Sequence, residues 1–167
     1  MSWIVIYTKP SQEFRAKDNL KALGATIFLP LRSKEKVANG SFVVCHEPLF
    51  PRYIFMRNDG VLLHKISHML RSTRGVSSVV NFGGKFAELS DEMVSSMKAA
   101  EGRSLSQPEK AYRRGDEVNF TFGPFKNIEA AFKESDGVRR VILLFDLLGK
   151  PTTMSVPLRS IKKNVAV

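Results

Sequence analysis

Cysteine is nearly missing from this chain. The single Cys45 cannot close an internal disulfide and cannot build a cysteine metal cluster, so a reducing compartment, the cytosol by default, is expected. Long hydrophobic runs are missing too. The longest later aliphatic run, Val141 to Phe145, falls far below the roughly 20 residues that a membrane span needs. Met1-Ser2 leads at once into Trp3-Ile4-Val5-Ile6-Tyr7, which lacks a basic flank and is too short for a signal peptide. A soluble, cytoplasmic protein with no membrane partner is the expectation. Internal repeats, low-complexity tracts, a Walker loop and a dinucleotide fingerprint are also absent. Acidic residues are in short supply, 16 against 26 Lys and Arg, and the formal charge of +10 favours a polyanionic partner such as nucleic acid.

What is present makes a folded protein. The 167 residues suit one ordinary domain or two small ones, and 43% hydrophobic with 25% charged residues is enough to bury a core. Between Lys98 and Gly115 the hydrophobic periodicity dies, which predicts a first domain over 1–100, a linker over 101–112 and a second domain over 113–167. Basic residues outnumber acidic ones 14 to 8 in residues 1–100 and 12 to 8 in the remainder, so neither part is an acidic counterweight.

The first part reads as strands and helices in alternation. Trp3 to Tyr7 is a buried strand, and Ser11 is expected to cap a helix in which Ala16, Leu20 and Leu23 follow the helical spacing before Gly24. Ile27 to Pro30 and Phe42 to Cys45 look like strands around a polar hairpin tip, Arg32 to Ser41, with Asn39-Gly40 in it. Tyr53 to Met56 is a further strand. Leu62, Leu63, Ile66, Met69 and Leu70 predict a second helix, Val79 to Phe82 a short strand, and Ser90 caps a third helix burying Met93, Val94 and Met97. The fold class is α+β, with an antiparallel sheet flanked by helices. The tail reads as short strands punctuated by Gly and Pro, which fit a small barrel. Residues Asn127 to Glu134 and Arg139 to Leu148 fit helices as well.

Few residues suggest catalysis. His64 and His68 stand four apart on a predicted helix, the spacing of a metal pair, but no nearby motif supplies a third ligand. Cys45 sits in a strand pattern with no general base beside it. No enzyme, catalytic residue, metal or cofactor is expected. In Glu47 to Phe55 two prolines bracket Leu49-Phe50 and stiffen the approach to a strand, so with Tyr7 and Phe82 these aromatics form either plain core or a greasy pocket for a partner helix. Lys9, Arg15, Lys17, Lys21, Arg71 and Arg74 stand near loop and helix ends beside Gln12, Asn19 and Thr73. They make either a solvated basic face or a surface on which Arg and Gln meet base edges and Lys meets phosphate.

The ordered set SWIVIYTKPSQEFRA, EPLFPRYIF, STRGVSSVVNFGG, a linker and GDEVNFTFGPFKNIEAAF resembles the NusG family of transcription elongation factors, and within it the RfaH branch. The starting element and Thr73-Arg74-Gly75-Val76 carry the second likeness. The resemblance implies a monomeric antitermination factor that reduces pausing and termination. Its amino-terminal domain would bind the β′ clamp helices of RNA polymerase through Tyr7, Phe50, Tyr53, Phe55 and Phe82, and the gate loop of β through His64 and Ser67. Lys9, Gln12, Arg15, Asn19, Thr73 and Arg74 would read exposed non-template single-stranded DNA. The tail, a KOW-type SH3-like barrel by the same resemblance, would contact the ribosomal small-subunit protein NusE. In the RfaH branch it would instead form an autoinhibitory α-helical hairpin, locked by Glu47 and Arg140, with Ile128, Phe132 and Leu143 over the aromatic patch. Pro124 and Pro151, each costing about 3 kcal/mol inside a helix, would keep such helices short.

Overall fold

The computed structural model describes residues 1–164, without the side chains of Val61, Leu62, Ile66 and Ser67. The chain opens with β1 (Ser2–Thr8), α1 (Glu13–Ala22), β2 (Ile27–Phe28), β3 (Leu31–Ala38), β4 (Ser41–Pro48) and β5 (Tyr53–Arg57). It continues through α2 (Gly60–Leu70), β6 (Val76–Val79), β7 (Asn81–Phe82), β8 (Lys85–Phe86), β9 (Glu88–Ser90) and α3 (Asp91–Ser106). The tail holds β10 (Glu117–Phe120), β11 (Glu129–Asp136), β12 (Arg140–Leu147), β13 (Lys150–Pro157), a 3-10 turn at Leu158–Ser160 and β14 (Ile161–Lys163). Two compact units result: Met1–Ser33 with His46–Gln107, and Lys34–Cys45 with Pro108–Val167. The segment Lys34–Cys45 thus belongs with the tail, although it lies within the 1–100 stretch that the sequence assigns to one domain.

The amino-terminal unit is built on an antiparallel sheet in the order β2-β5-β1-β6, with β9 also pairing β1. Directly paired residues share a face, so the register Ile4↔Met56 and Ile6↔Ile54 places four aliphatic side chains together. Ala16 and Leu20 of α1 complete that core with Leu70 and Val76. Burial of a side chain as large as Leu20 stabilises by about 1.5–3 kcal/mol, which ties α1 to the sheet despite its missing side-chain cap. The opposite face carries the aromatic set. Trp3, Phe28 and Phe55 pack with Val94 of α3, and Val5, Leu89 and Met97 close around them.

The carboxy-terminal unit holds a five-stranded antiparallel sheet in the order β13-β12-β11-β10-β14, the strand-rich tail expected. Val118, Phe120, Phe132, Val141, Leu143 and Phe145 alternate into one core with Val156, Leu158 and Ile161. That period of two decides the ambiguous segments: the stretches that also fit helices are β11 and β12, and no helical hairpin forms from them. Pro151 is accommodated because β13 lies at the end of the sheet order.

Three local expectations need correction. Ser11 does not cap α1; it takes a left-handed φ of 57° and the helix starts two residues later, with the carboxylate of Glu13 buried. The hairpin tip is shorter than the expected Arg32 to Ser41, since β3 and β4 extend to a two-residue turn whose Asn39 and Gly40 have φ of 50° and 72°, values that suit Asn and Gly. The third helix does not stop near residue 100 but runs through Ser106, into the stretch predicted as linker. Its amino end is as read, with the Ser90 hydroxyl accepting from the Met93 N–H at 3.2 Å. Val94 is buried, whereas Met93 faces solvent.

Candidate functional site

The aromatic face of the first sheet is only half covered. From Trp3 to Phe55 it lies under α3, but the next pair in register, Tyr7↔Tyr53, lies beyond that cluster. Their rings are 5.2 Å apart. Phe50 leans edge-on against Phe55 at 6.3 Å, and is 41% exposed beside Tyr53 at 40%. Phe55 itself is 5% exposed and forms the floor under Phe50, touching Phe28 as well. Phe82, at 75%, stands on the small β7–β8 hairpin that continues from β6, and the hollow beside Tyr7 and Tyr53 is also lined by Arg71, Ser78 and Asn81. Of the five aromatics predicted to dock a partner, four therefore reach solvent and one supports them.

Arg52 was missed by sequence reasoning. It follows Pro51 in a turn closed by the Tyr53 N–H to the Phe50 carbonyl at 3.1 Å, and holds a left-handed φ of 70° where Gly would be usual. Its backbone N–H donates to Glu13 Oε1 at 2.8 Å, its Nε donates to the Thr8 carbonyl, and its guanidinium lies 4.1 Å from the Tyr7 ring centroid. The buried Glu13 thus fixes the aromatic turn from α1. The signal in the sequence was the Pro51-Arg52 pair at a turn, without anything to say that Arg would accept the strained position.

The basic loops meet at one corner of the same unit. The Lys9 N–H donates to the Gly75 carbonyl at 2.8 Å, joining the β1–α1 loop to the α2–β6 loop. Asn19 Nδ2 donates to the Arg74 carbonyl at 2.8 Å and Thr73 Oγ1 to the Met69 carbonyl at 2.7 Å, so these two hold the loop in shape. Gly75 has φ 94°, and a Cβ there would sit 2.7 Å from the Ala16 backbone nitrogen, so only glycine lets the loop touch α1. Lys9, Arg15 and Arg74 are exposed around this junction, with Gln12 half-buried among them.

The remaining predicted residues scatter. His64 and His68 are exposed on α2, and the side chain of Ser67 lies outside the described residues. Among the described residues no three His, Cys, Asp or Glu side chains gather as a metal set. Cys45 Sγ approaches the Lys34 carbonyl at 3.3 Å. Within the amino-terminal unit Glu47 pairs with Arg32 at 2.7 Å, and within the carboxy-terminal unit Arg140 donates to Ser155. Ile128, Phe132 and Leu143 fill the tail's own core. No helix among the described residues is long and apolar enough to cross a membrane.

The family model described as transcription termination factor NusG matches residues 1–98. This chain belongs to the NusG family. The NusG match covers every strand that carries the aromatic face and both basic loops, and it stops inside α3. The chain is similar to the transcription termination/antitermination protein NusG of Thermus thermophilus, with 26% identity across 98% of each chain. It is similar also to the NusG protein of Rickettsia typhi, 24% identical over 97% of this chain and 90% of that one. A solved structure titled "Domain interaction in Thermotoga maritima NusG" aligns over 98% of this chain and 97% of its own at 21% identity, with a TM-score of 0.42.

Proposed function

We propose that this NusG-family protein is a transcription antitermination factor that docks on the β′ clamp helices of RNA polymerase through Tyr7, Phe50, Tyr53 and Phe82. The half-covered aromatic sheet carries the reading. Beyond the reach of α3 the rings of Phe50, Tyr53 and Phe82 are exposed, with Tyr7 half-buried against Tyr53, and aromatics of this kind serve as anchors for a helical partner. His64 and Ser67, on α2, are assigned to the gate loop of β. The corner formed by Lys9, Gln12, Arg15 and Arg74, held by Asn19 and Thr73, reads non-template single-stranded DNA by combining phosphate neutralisation with hydrogen bonds to unpaired base edges. Bridging both pincers of the enzyme favours its closed state by differential binding, so pausing falls without any chemical step. The tail contacts the ribosomal protein NusE.

The tail favours a second reading, a general NusG-like factor loaded on any template, because its described segments form strands and not a helical hairpin. Transcription past a long pause site on several non-template sequences, with the full chain added, separates the two. Recruitment confined to one sequence and lost in Arg74→Ala supports the specialised factor; equal action on every template supports the general one. Retention on immobilised clamp helices tests what both share, and an unchanged affinity in the double variant Phe50→Ala, Tyr53→Ala overturns it.

A further inference from the structure

We infer that the carboxy-terminal unit carries a second nucleic-acid site, a cleft that takes the phosphodiester backbone of a strand without reading its bases. Three segments distant in sequence build it, all within that one unit. The β3–β4 turn contributes Asn39 and Gly40, the β11–β12 turn contributes Arg139 and Arg140, and Pro157 and Arg159 come from the end of β13 and the 3-10 turn after it. The cleft measures about 420 Å³, within the range of about 300–1,000 Å³ usual for small-ligand sites.

The walls are pinned rather than incidental. The Phe42 N–H donates to the Val138 carbonyl at 2.6 Å, joining the first segment to the second, and the Leu158 N–H donates to the Arg139 carbonyl at 2.8 Å, joining the second to the third. Phe42 also packs edge-on against Tyr112, at 6.1 Å, beside the unit's core. Arg140 is held in place by Ser155, which it reaches through Nε at 3.0 Å and Nη2 at 2.8 Å; the Ser155 hydroxyl in turn donates to Asp136 at 2.7 Å. The guanidinium groups of Arg139 and Arg159, by contrast, meet no carboxylate among the described residues.

The lining selects the ligand. Guanidinium groups present forked, positively charged donors that match phosphate oxygens. No aromatic side chain lines the cleft, so it offers no stacking platform for a base. The whole unit holds 13 Lys and Arg against 8 Asp and Glu, so the long-range field draws a polyanion toward it. A backbone-reading site of this kind holds a strand regardless of sequence, which suits a factor that must stay attached while sequence passes by.

The test uses the full chain and fluorescence anisotropy with mixed-sequence 12-mers, one arm single-stranded RNA and the other single-stranded DNA, across a salt series. The double variant Arg139→Gln, Arg159→Gln is expected to weaken binding at least fivefold in one or both arms and to flatten the log-affinity against log-salt slope by about 1.4, since each phosphate contact to a single strand contributes about 0.7. The charge-matched control Lys126→Gln, Lys150→Gln is expected to change affinity less than twofold. Backbone amide shifts of Asn39, Gly40, Arg139 and Arg159 should move on adding oligomer to the wild-type protein. Equal losses in the control, an unchanged slope, or displacement by polyglutamate as readily as by oligonucleotide overturns the inference. Clamp-helix retention by the same double variant should stay at wild-type level, which separates failure here from failure of the docking proposal.

Discussion

The two faces of the amino-terminal sheet differ in chemistry and in closure. One face is aliphatic, with Ile4, Ile6, Ile54 and Met56 sealed under α1. The other is aromatic, and α3 covers it only as far as Val5 and Phe55. Aliphatic side chains gain by being enclosed and have nothing else to offer, whereas a tyrosine or phenylalanine left at an edge supplies a large rigid anchor at small entropic cost. The contrast teaches that opposite sides of a single strand, β1, are closed to different extents, and the docking proposal places recognition on the side left open.

The sharpest way to break the comparison is to cut into both faces. Ile6→Ala, at a fully buried position, should lower unfolding free energy by about 2–5 kcal/mol in urea titration. The double variant Phe50→Ala, Tyr53→Ala should cost about 1 kcal/mol or less while weakening clamp-helix retention more than tenfold. Phe55→Ala belongs with the first group despite its place on the aromatic face, because it forms the floor. If Phe50 and Tyr53 cost as much stability as Ile6, the open patch is ordinary core and the division of labour fails.

Gly75→Ala comes next. Its strained φ and the 2.7 Å approach to Ala16 should cost about 1–3 kcal/mol, read as a lowered urea midpoint. The loss should also disorder the corner that presents Arg74, so that DNA binding drops further than stability alone accounts for. A smaller effect is expected at Arg52→Gly. Glycine relieves about 1–2 kcal/mol of left-handed strain but gives up the guanidinium over Tyr7, so stability should change little while clamp-helix affinity falls severalfold. Strong stabilisation with full retention would show that Arg52 is merely tolerated.

Much of this was legible in advance because local chemistry decides it. The β-branched and aromatic run from Trp3 to Tyr7, the Ser90 cap with Asp91-Glu92 behind it, and Gly24 at a helix end all follow from backbone rules acting within a few residues. The strand-built tail was legible only as one of two options, since Ala130, Phe132, Val141 and Leu143 fit either period until strand pairing selects one. What stayed hidden depends on contacts far apart in sequence. Glu13 reaching the backbone of Arg52, Asn19 and Thr73 holding a loop instead of facing a ligand, and Lys34–Cys45 belonging with the tail have no local signature. Among the aromatics, composition could not tell floor from rim: Phe55 and Tyr53 are two residues apart on the same face, and only the reach of α3 separates them.

The finest prediction concerns how α3 is fastened over the aromatic half that it does cover. Trp3 Nε1–H donates to Asp91 Oδ1 at 2.9 Å, at the first residue of α3. That hydrogen bond, with help from the amino terminus, Arg57 and Lys98, holds the Asp91 carboxyl below its ordinary value. A carboxyl depressed in the folded state stabilises it fully above the unfolded value of about 3.9, and the benefit disappears as pH falls through the folded value. Trp3 is the chain's one tryptophan, so its fluorescence reports this tie directly. An acid titration should show an inflection with its midpoint below pH 3.9, and Asp91→Asn should remove it while leaving the spectrum at neutral pH close to wild type. An inflection at or above pH 3.9 would mean that the indole does not favour the charged carboxylate. In that case the Trp3–Asp91 tie adds little, and α3 is secured by the packing of Val94 and Met97, by Glu101 accepting from the Leu31 N–H at 2.8 Å and by Lys98 over the Trp3 ring.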